Sequence, residues 1–573
     1  MKKVIILSAL LVVLTGCNND DKDTSIDSNF QATTTVTTEY GTIQGIDDLD
    51  GSVLSWLGVG YAKPPVGDLR WKAPQEPDEF HDVIETKQFR DVALQLAGSE
   101  VIGSEDSLYL NIWRPNSDEA NLPVLLFVHG GGNVTGSAQE FIGNKLALQT
   151  NSVVISISYR LGALGWFRHP LLNSNSNSNN NSNELDQSGN FGLLDIIESL
   201  EWTNRNITYF GGDPENITLA GQSAGGTNVL AALISPLSQG LFEKLMVLSG
   251  GMTLSTVEQG NDRTIEAITK LVIENGEADS DEDALVWIEQ HDDTLSYLKQ
   301  QPAEKLPGLY NSASLSMDGT AYLFQDGVVV PETGYDVIES GDYNQVPVIL
   351  GSDKHEYSMF ALLSDPAVFT AFVTGTLFNS ENSALLDSYL KASKYGSMVY
   401  SAYNAEKNAR KLVSYDGQPP VYGFRFSWGE QPDVVKEPFN SLYFSARHGA
   451  DMDFITGHFS EAVNASLGGA LYFEENELGR ENLSKAMMDY IGAFLHSGSP
   501  NNGNNPHWLS WGKQHEQLLN LDADLNQTVI NMTSEVYSKD EVLSLMQSEL
   551  SEDEMNNMID IHFKNKNIWN LWE

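Results

Sequence analysis

Apolar residues along this chain gather in short blocks, and the period inside each block differs. Residues 123–128 (PVLLFV), 152–157 (SVVISI), 217–220 (ITLA), 245–248 (LMVL), 346–350 (VPVIL) and 421–426 (VYGFRF) are runs without polar alternation. Most are rich in β-branched or large aliphatic side chains, which suits strands covered on both faces, as in a parallel sheet. Between them the apolar positions recur at helical spacing, over residues 193–204 and over 225–234. Strand, helix and strand in alternation predict an α/β protein with a large, mostly parallel central sheet and helices on both faces. The first block is different: Lys2 and Lys3 precede an apolar run over residues 4–14. That run is too short for a comfortable bilayer span and has the form of a secretory signal.

In open α/β sheets ligands collect at the carboxyl ends of the strands. Here those ends carry His129-Gly130-Gly131-Gly132, Gly221-Gln222-Ser223, Ser249-Gly250-Gly251, and Gly351 with Glu356 a turn later. Gly221, Ser223 and Gly225 spell G-x-S-x-G. A strand enters, Ser223 turns and a helix leaves, which lifts the hydroxyl into the open in a strained conformation. The N–H of Ala224 then lies at a helix N-terminus, where partial positive charge favours an oxyanion. A nucleophilic serine needs a base. Of the eleven histidines, His448 is the candidate, in a loop of small residues (SARHGADMDFITG) after the last predicted strand, with His458 as runner-up. The orienting acid is Glu356 or Asp353, which position alone does not separate. His129 reads as a support of the glycine turn rather than an acid–base group.

The chain has 573 residues, 41% of them hydrophobic, with 78 acids against 33 bases and a net charge of −45. No linker or repeat divides it, so residues 36–573 are expected to form a single domain. The acidic surface excludes a nucleic-acid partner and is expected to suit a saline habitat, because salt screens self-repulsion. The leader ends in Leu14-Thr15-Gly16-Cys17, and Cys17 is the only cysteine. This resembles a bacterial lipobox: residues 1–16 form a lipoprotein signal peptide, Cys17 carries the lipid, and residues 17–35 form a disordered tether. Export to the bacterial cell envelope follows, with Asn18 favouring the outer membrane. Residues 173–184, rich in asparagine and serine, are expected to be a low-complexity surface insertion.

Longer blocks carry a more specific resemblance. FGGDPENITLAGQSAGG (210–226), EDSLYLNIW (105–113), YAKPPVGDLRW (61–71), SYRLGALGWF (158–167), GNFGLLDIIESLEW (189–202) and HSGSPN (496–501) resemble blocks of the type-B carboxylesterase family. This is the branch of the α/β-hydrolases that includes para-nitrobenzyl esterases, carboxylesterases and cholinesterases. The resemblance implies the α/β-hydrolase fold and a serine carboxylesterase that forms an acyl-enzyme and needs no metal or organic cofactor. It implies Ser223 as nucleophile, Glu356 as acid and His448 as base, with Asp353 standing where the family usually has an amide. Gly131, Gly132 and Ala224 would form the oxyanion hole, and Ser249 and Gln222 would lie just behind the reacting groups. Departures are Ser107 in place of a cysteine, Asn133 in place of an aromatic after the glycines, and Gln222 where cholinesterases carry glutamate. The last weighs against choline esters. A lipase on longer acyl chains and a catalytically silent adhesion protein are the alternatives. The expected partner is a small ester substrate.

Overall fold

All six predicted runs become strands at the centre of one eleven-stranded sheet. The computed structural model describes residues 30–170, 184–291, 294–310 and 322–563. The predicted leader, Cys17 and nearly all of the asparagine–serine insertion lie outside the described residues. In chain order the strands are β1 (Ile46–Asp48), β2 (Val53–Gly60), β3 (Tyr109–Pro115), β4 (Leu122–Val128), β5 (Val153–Ile157) and β6 (Gly212–Gln222). They continue as β7 (Lys244–Leu248), β8 (Val348–Asp353), β9 (Val421–Phe426), β10 (Leu518–Ala523) and β11 (Thr528–Thr533). Their spatial order is β11-β10-β9-β8-β7-β6-β4-β5-β3-β2-β1. The stretch from β5 to β10 is parallel throughout, while β1, β2, β3 and β11 pair antiparallel at the two edges. This is the α/β-hydrolase fold, with a large, mostly parallel sheet.

The unbroken apolar character of the central strands has a direct cause. On β4, Val124, Leu126 and Val128 enter one apolar cluster, while Leu125 and Phe127 enter the other. Helices α1 (Phe191–Asn206) and α2 (Ala224–Ile234) cover the first face. The long helix α3 (Glu477–Ser497) covers the second, through Leu483, Met487 and Phe494. A residue on these strands has no solvent side, so polar alternation disappears.

Four of the family-like blocks interlock. Arg160 is held by Asp195 of α1 through Nη2···Oδ1 at 2.7 Å and Nε···Oδ2 at 2.8 Å, and both side chains are buried. The Trp71 indole donates to the Ala163 carbonyl at 2.8 Å and stacks on Phe167. Arg70 makes a two-pronged pair with Glu105 and also donates to the Gln301 carbonyl. That clamp fixes the segment around Ser107, itself buried, where the family resemblance has a cysteine.

Three expectations need correction. The loop bearing His448 follows β9, but β9 is not the last strand, because β10 and β11 come later in the chain. The helix after Ser223 begins at Ala224, one residue earlier than its apolar pattern indicates. Residues 30–35, placed within the tether, instead belong to the folded domain. Phe30 already packs under the Arg114 guanidinium, and Thr35 pairs with Gln44 in a small separate sheet.

Candidate active site

The G-x-S-x-G turn takes the expected form. Ser223 directly follows β6 with φ 56° and ψ −124°, a backbone conformation strained for any residue with a Cβ. The turn closes against the neighbouring strand end. A Cβ on Gly225 would lie 2.2 Å from the Val128 carbonyl oxygen, and one on Gly221 would lie 2.4 Å from that of Gly225. Only hydrogen fits at both positions, which is why the small residues flank the serine.

His448 reaches this turn from the β9 side. Its Nε2 stands 2.9 Å from Ser223 Oγ, and its Nδ1 stands 2.5 Å from Glu356 Oε2. The other oxygen of Glu356 accepts from Ser249 Oγ at 2.5 Å, Ser352 Oγ at 2.8 Å, the Asp353 N–H at 3.0 Å and Asn404 Nδ2 at 3.3 Å. Burial pushes the Glu356 carboxyl up, but the facing imidazole and the hydroxyls outweigh it and bring it below the ordinary carboxylate range. Burial likewise pulls the His448 imidazole down, and Glu356 with Asp451 reverses this, leaving it above its ordinary value. A buried carboxylate that favours the charged imidazole is what a proton-accepting histidine requires.

The competing candidates are placed elsewhere. Asp353 does not touch the imidazole; its Oδ2 accepts from the Gly449 N–H at 2.7 Å. Burial, then Asp451 and Glu356, raise its carboxyl well above the usual range. His458 is bound to Asn144 by Nε2···Oδ1 at 2.6 Å. Burial lowers His129 to about 4, and its ring stacks on Tyr159 while Nδ1 bonds the Gly130 carbonyl. It therefore supports the glycine turn.

That turn lies beside Ser223. Gly131 has φ 94°, and a Cβ there would stand 2.1 Å from the Thr135 carbonyl oxygen. Among the described residues, no hydrogen bond is found from the backbone N–H of Gly131, Gly132 or Ala224, so these donors are free for a ligand oxygen. Gln222 lies alongside, its Nε2 3.4 Å from His448 Nε2. Asn133 is buried and bonded to Asn228, so it does not stand in for an aromatic pocket wall.

Sequence reasoning missed Ser352, Asn404 and Asp451. Ser352 sits on β8 one turn before Glu356 and Asp451 sits three residues after His448, so proximity to the chosen residues could have flagged both. Asn404 comes from a π-helical stretch, Ala402–Glu406, far along the chain with no local signal. Such bulges are frequent at functional sites.

Sequence comparison with known families matches the one described as "Carboxylesterase family" over residues 32–414 and 379–540. A para-nitrobenzyl esterase of Bacillus subtilis is 28% identical over 522 residues, 86% of this chain and 95% of its own. A cocaine esterase of Homo sapiens is 28% identical over 528 residues, 84% of this chain and 86% of its own. A solved carboxylesterase of Geobacillus stearothermophilus, 26% identical, superposes with a TM-score of 0.67 over 90% of this chain and 100% of that one.

Proposed function

The chain belongs to the carboxylesterase family, and on that premise we propose that it hydrolyses carboxylic esters through an acyl-enzyme on Ser223. His448 takes the proton from Ser223 Oγ as the oxygen attacks the ester carbonyl. The oxyanion is received by the N–H groups of Gly131, Gly132 and Ala224; removing one such donor costs about 3–4 kcal/mol in the transition state. His448 then gives its proton to the leaving alcohol. Water repeats the sequence on the acyl-enzyme, with Glu356 holding the imidazole in the tautomer that faces Ser223. The observation that carries this reading is the hydrogen-bonded line from Ser223 Oγ through the His448 ring to Glu356 Oε2. A fluorophosphonate probe tests it. Labelling is expected at Ser223 and is expected to vanish in Ser223→Ala; a probe that labels both proteins equally refutes the assignment, and a wild-type protein that is not labelled at all favours the silent binding protein.

A second reading, hydrolysis of longer acyl esters, is favoured by one observation. The helices that follow Glu356, Ser358–Ser364 and Pro366–Val373, place Phe360 against the His448 ring and leave Leu363, Phe369 and Val373 exposed. Nitrophenyl esters of increasing chain length separate the two readings.

We propose further that the protein is a lipoprotein of the bacterial cell envelope, held through Cys17 in the outer membrane. The support is the leader and its flanks. Among the described residues no helix is long and apolar enough to cross a membrane. Cys17→Ala is expected to release the protein into the soluble fraction; unchanged fractionation refutes the anchor.

A further inference from the structure

The proposed oxyanion cradle is divided between two elements. Gly131 and Gly132 belong to the turn after β4, whereas Ala224 opens helix α2. The width and tilt of the cradle therefore depend on how that turn is fixed to that helix. Two amide side chains make the join. Asn133 follows Gly132 directly, and Asn228 lies one helical turn beyond Ala224. Asn228 Nδ2 donates to Asn133 Oδ1 at 2.8 Å, and Asn133 Nδ2 donates back to Asn228 Oδ1 at 3.2 Å. Among the described residues, no other side-chain hydrogen bond joins residues 129–136 to α2.

The surroundings make the pair rigid. Asn133 is 3% exposed and Asn228 is 0% exposed. Asn133 has φ 60°, in the left-handed region that asparagine tolerates better than most residues. Its carbonyl accepts from the Gly162 N–H at 2.7 Å, and Tyr159 Oη, which donates to the His129 carbonyl at 2.8 Å, lies 3.4 Å from Asn133 Oδ1. Two antiparallel bonds between planar amides resist sliding and rotation together, which one bond cannot do. In a dry interior each amide also needs the other, since a lone buried amide is costly.

We propose that Asn133 and Asn228 are positioning residues for ester hydrolysis, their paired amides setting the separation between the Gly131/Gly132 donors and the Ala224 donor. This rests on the reading of Ser223 as nucleophile. The position at which related chains often carry an aromatic is used here to brace the cradle instead.

The test compares wild type with Asn133→Gly, Asn228→Ala and the double variant. Turnover of nitrophenyl acetate is read beside the affinity of an aryl trifluoromethyl ketone. The ketone's carbonyl carbon is attacked by Ser223 Oγ, the proton passes to His448, and the carbonyl oxygen becomes an oxyanion in the cradle. Each single variant is expected to lose about 30- to 100-fold in kcat, with KM within about threefold of wild type, as for a donor displaced by roughly 1 Å. Ketone affinity should fall by the same factor. The double variant should lose no more than the worse single one, because both break the same join. Asn133→Asp preserves size and backbone preference and keeps the acceptor but not the donor; a loss of about tenfold is expected, and it reports even if a smaller residue prevents folding. Variants that lose only thermal stability while keeping kcat and ketone affinity overturn the proposal, as do single losses that multiply in the double variant. A wild-type protein that forms no ketone adduct at Ser223 overturns the nucleophile reading itself, and with it this one.

Discussion

Replacing Glu356 by glutamine and Asp353 by asparagine removes one buried acid in each case from the same four-residue stretch, yet the expected outcomes differ by orders of magnitude. Glu356 turns Oε2 to the Nδ1 of His448 at 2.5 Å and gives its other oxygen to four donors. Those four donors will hold the amide oxygen of a glutamine. Its NH2 group then faces His448 Nδ1, donor against donor. The imidazole must move its proton to Nε2, where it can no longer accept one from Ser223. The wrong tautomer costs about 10⁴ in kcat, or roughly 5 kcal/mol of transition-state stabilisation. Burial and the neighbouring acids raise the Asp353 carboxyl and so favour its uncharged form, and among the described residues its side chain makes one hydrogen bond, accepted from the Gly449 N–H. Asparagine keeps an acceptor there and adds no charge, so kcat should stay within about threefold of wild type. Steady-state hydrolysis of nitrophenyl acetate by folded variants decides it. The reasoning fails if Asp353→Asn falls as far as Glu356→Gln, or if Glu356→Gln keeps more than about a tenth of wild-type turnover.

Asp451 is raised to about 7 by burial and by Glu356. As pH rises past that point its charge favours the imidazolium form of His448, so Asp451→Asn should move the acid limb of kcat/KM to lower pH. Because a raised carboxyl contributes stability at low pH that is lost as pH climbs from the ordinary value of 3.8 towards 7, the same variant should gain more thermal stability over wild type at pH 8 than at pH 5; an equal gain at both contradicts this. Asp195→Ala leaves Arg160 buried without its partner and should cost about 3–5 kcal/mol in denaturant unfolding; a change below about 1 kcal/mol removes the pair from the scaffold argument. With a net charge of −45, the melting temperature should rise as salt goes from low concentration to about 1 M, where the Debye length is near 3 Å; a flat or falling curve argues against salt adaptation.

The central strands were legible because burial on both faces leaves a one-dimensional trace: an unbroken apolar run. The outer strands were not. On β11 the residues are partly exposed and include Thr528, Asn531 and Thr533, and β3 mixes Tyr109, Asn111 and Arg114 into its apolar positions. Asn111 and Arg114 are buried there because Asn111 bonds Ser156 and Arg114 donates to the Phe210 carbonyl, and no local pattern encodes a partner so distant in the chain.

The amino acids alone determined the sheet class and the strained serine turn, because a tight turn between a buried strand and a helix demands small residues at fixed spacing. The net charge was equally plain in the sequence. Position along the chain left Asp353 against Glu356 and His448 against His458 open; the family resemblance pointed to Glu356 and His448, and the folded chain brings those two side chains together beside Ser223, while only the folded chain shows that Asn133 answers to Asn228. Each of those choices depends on which side chain meets which across the ends of different strands, and such meetings follow from packing the whole sheet rather than from any stretch of it.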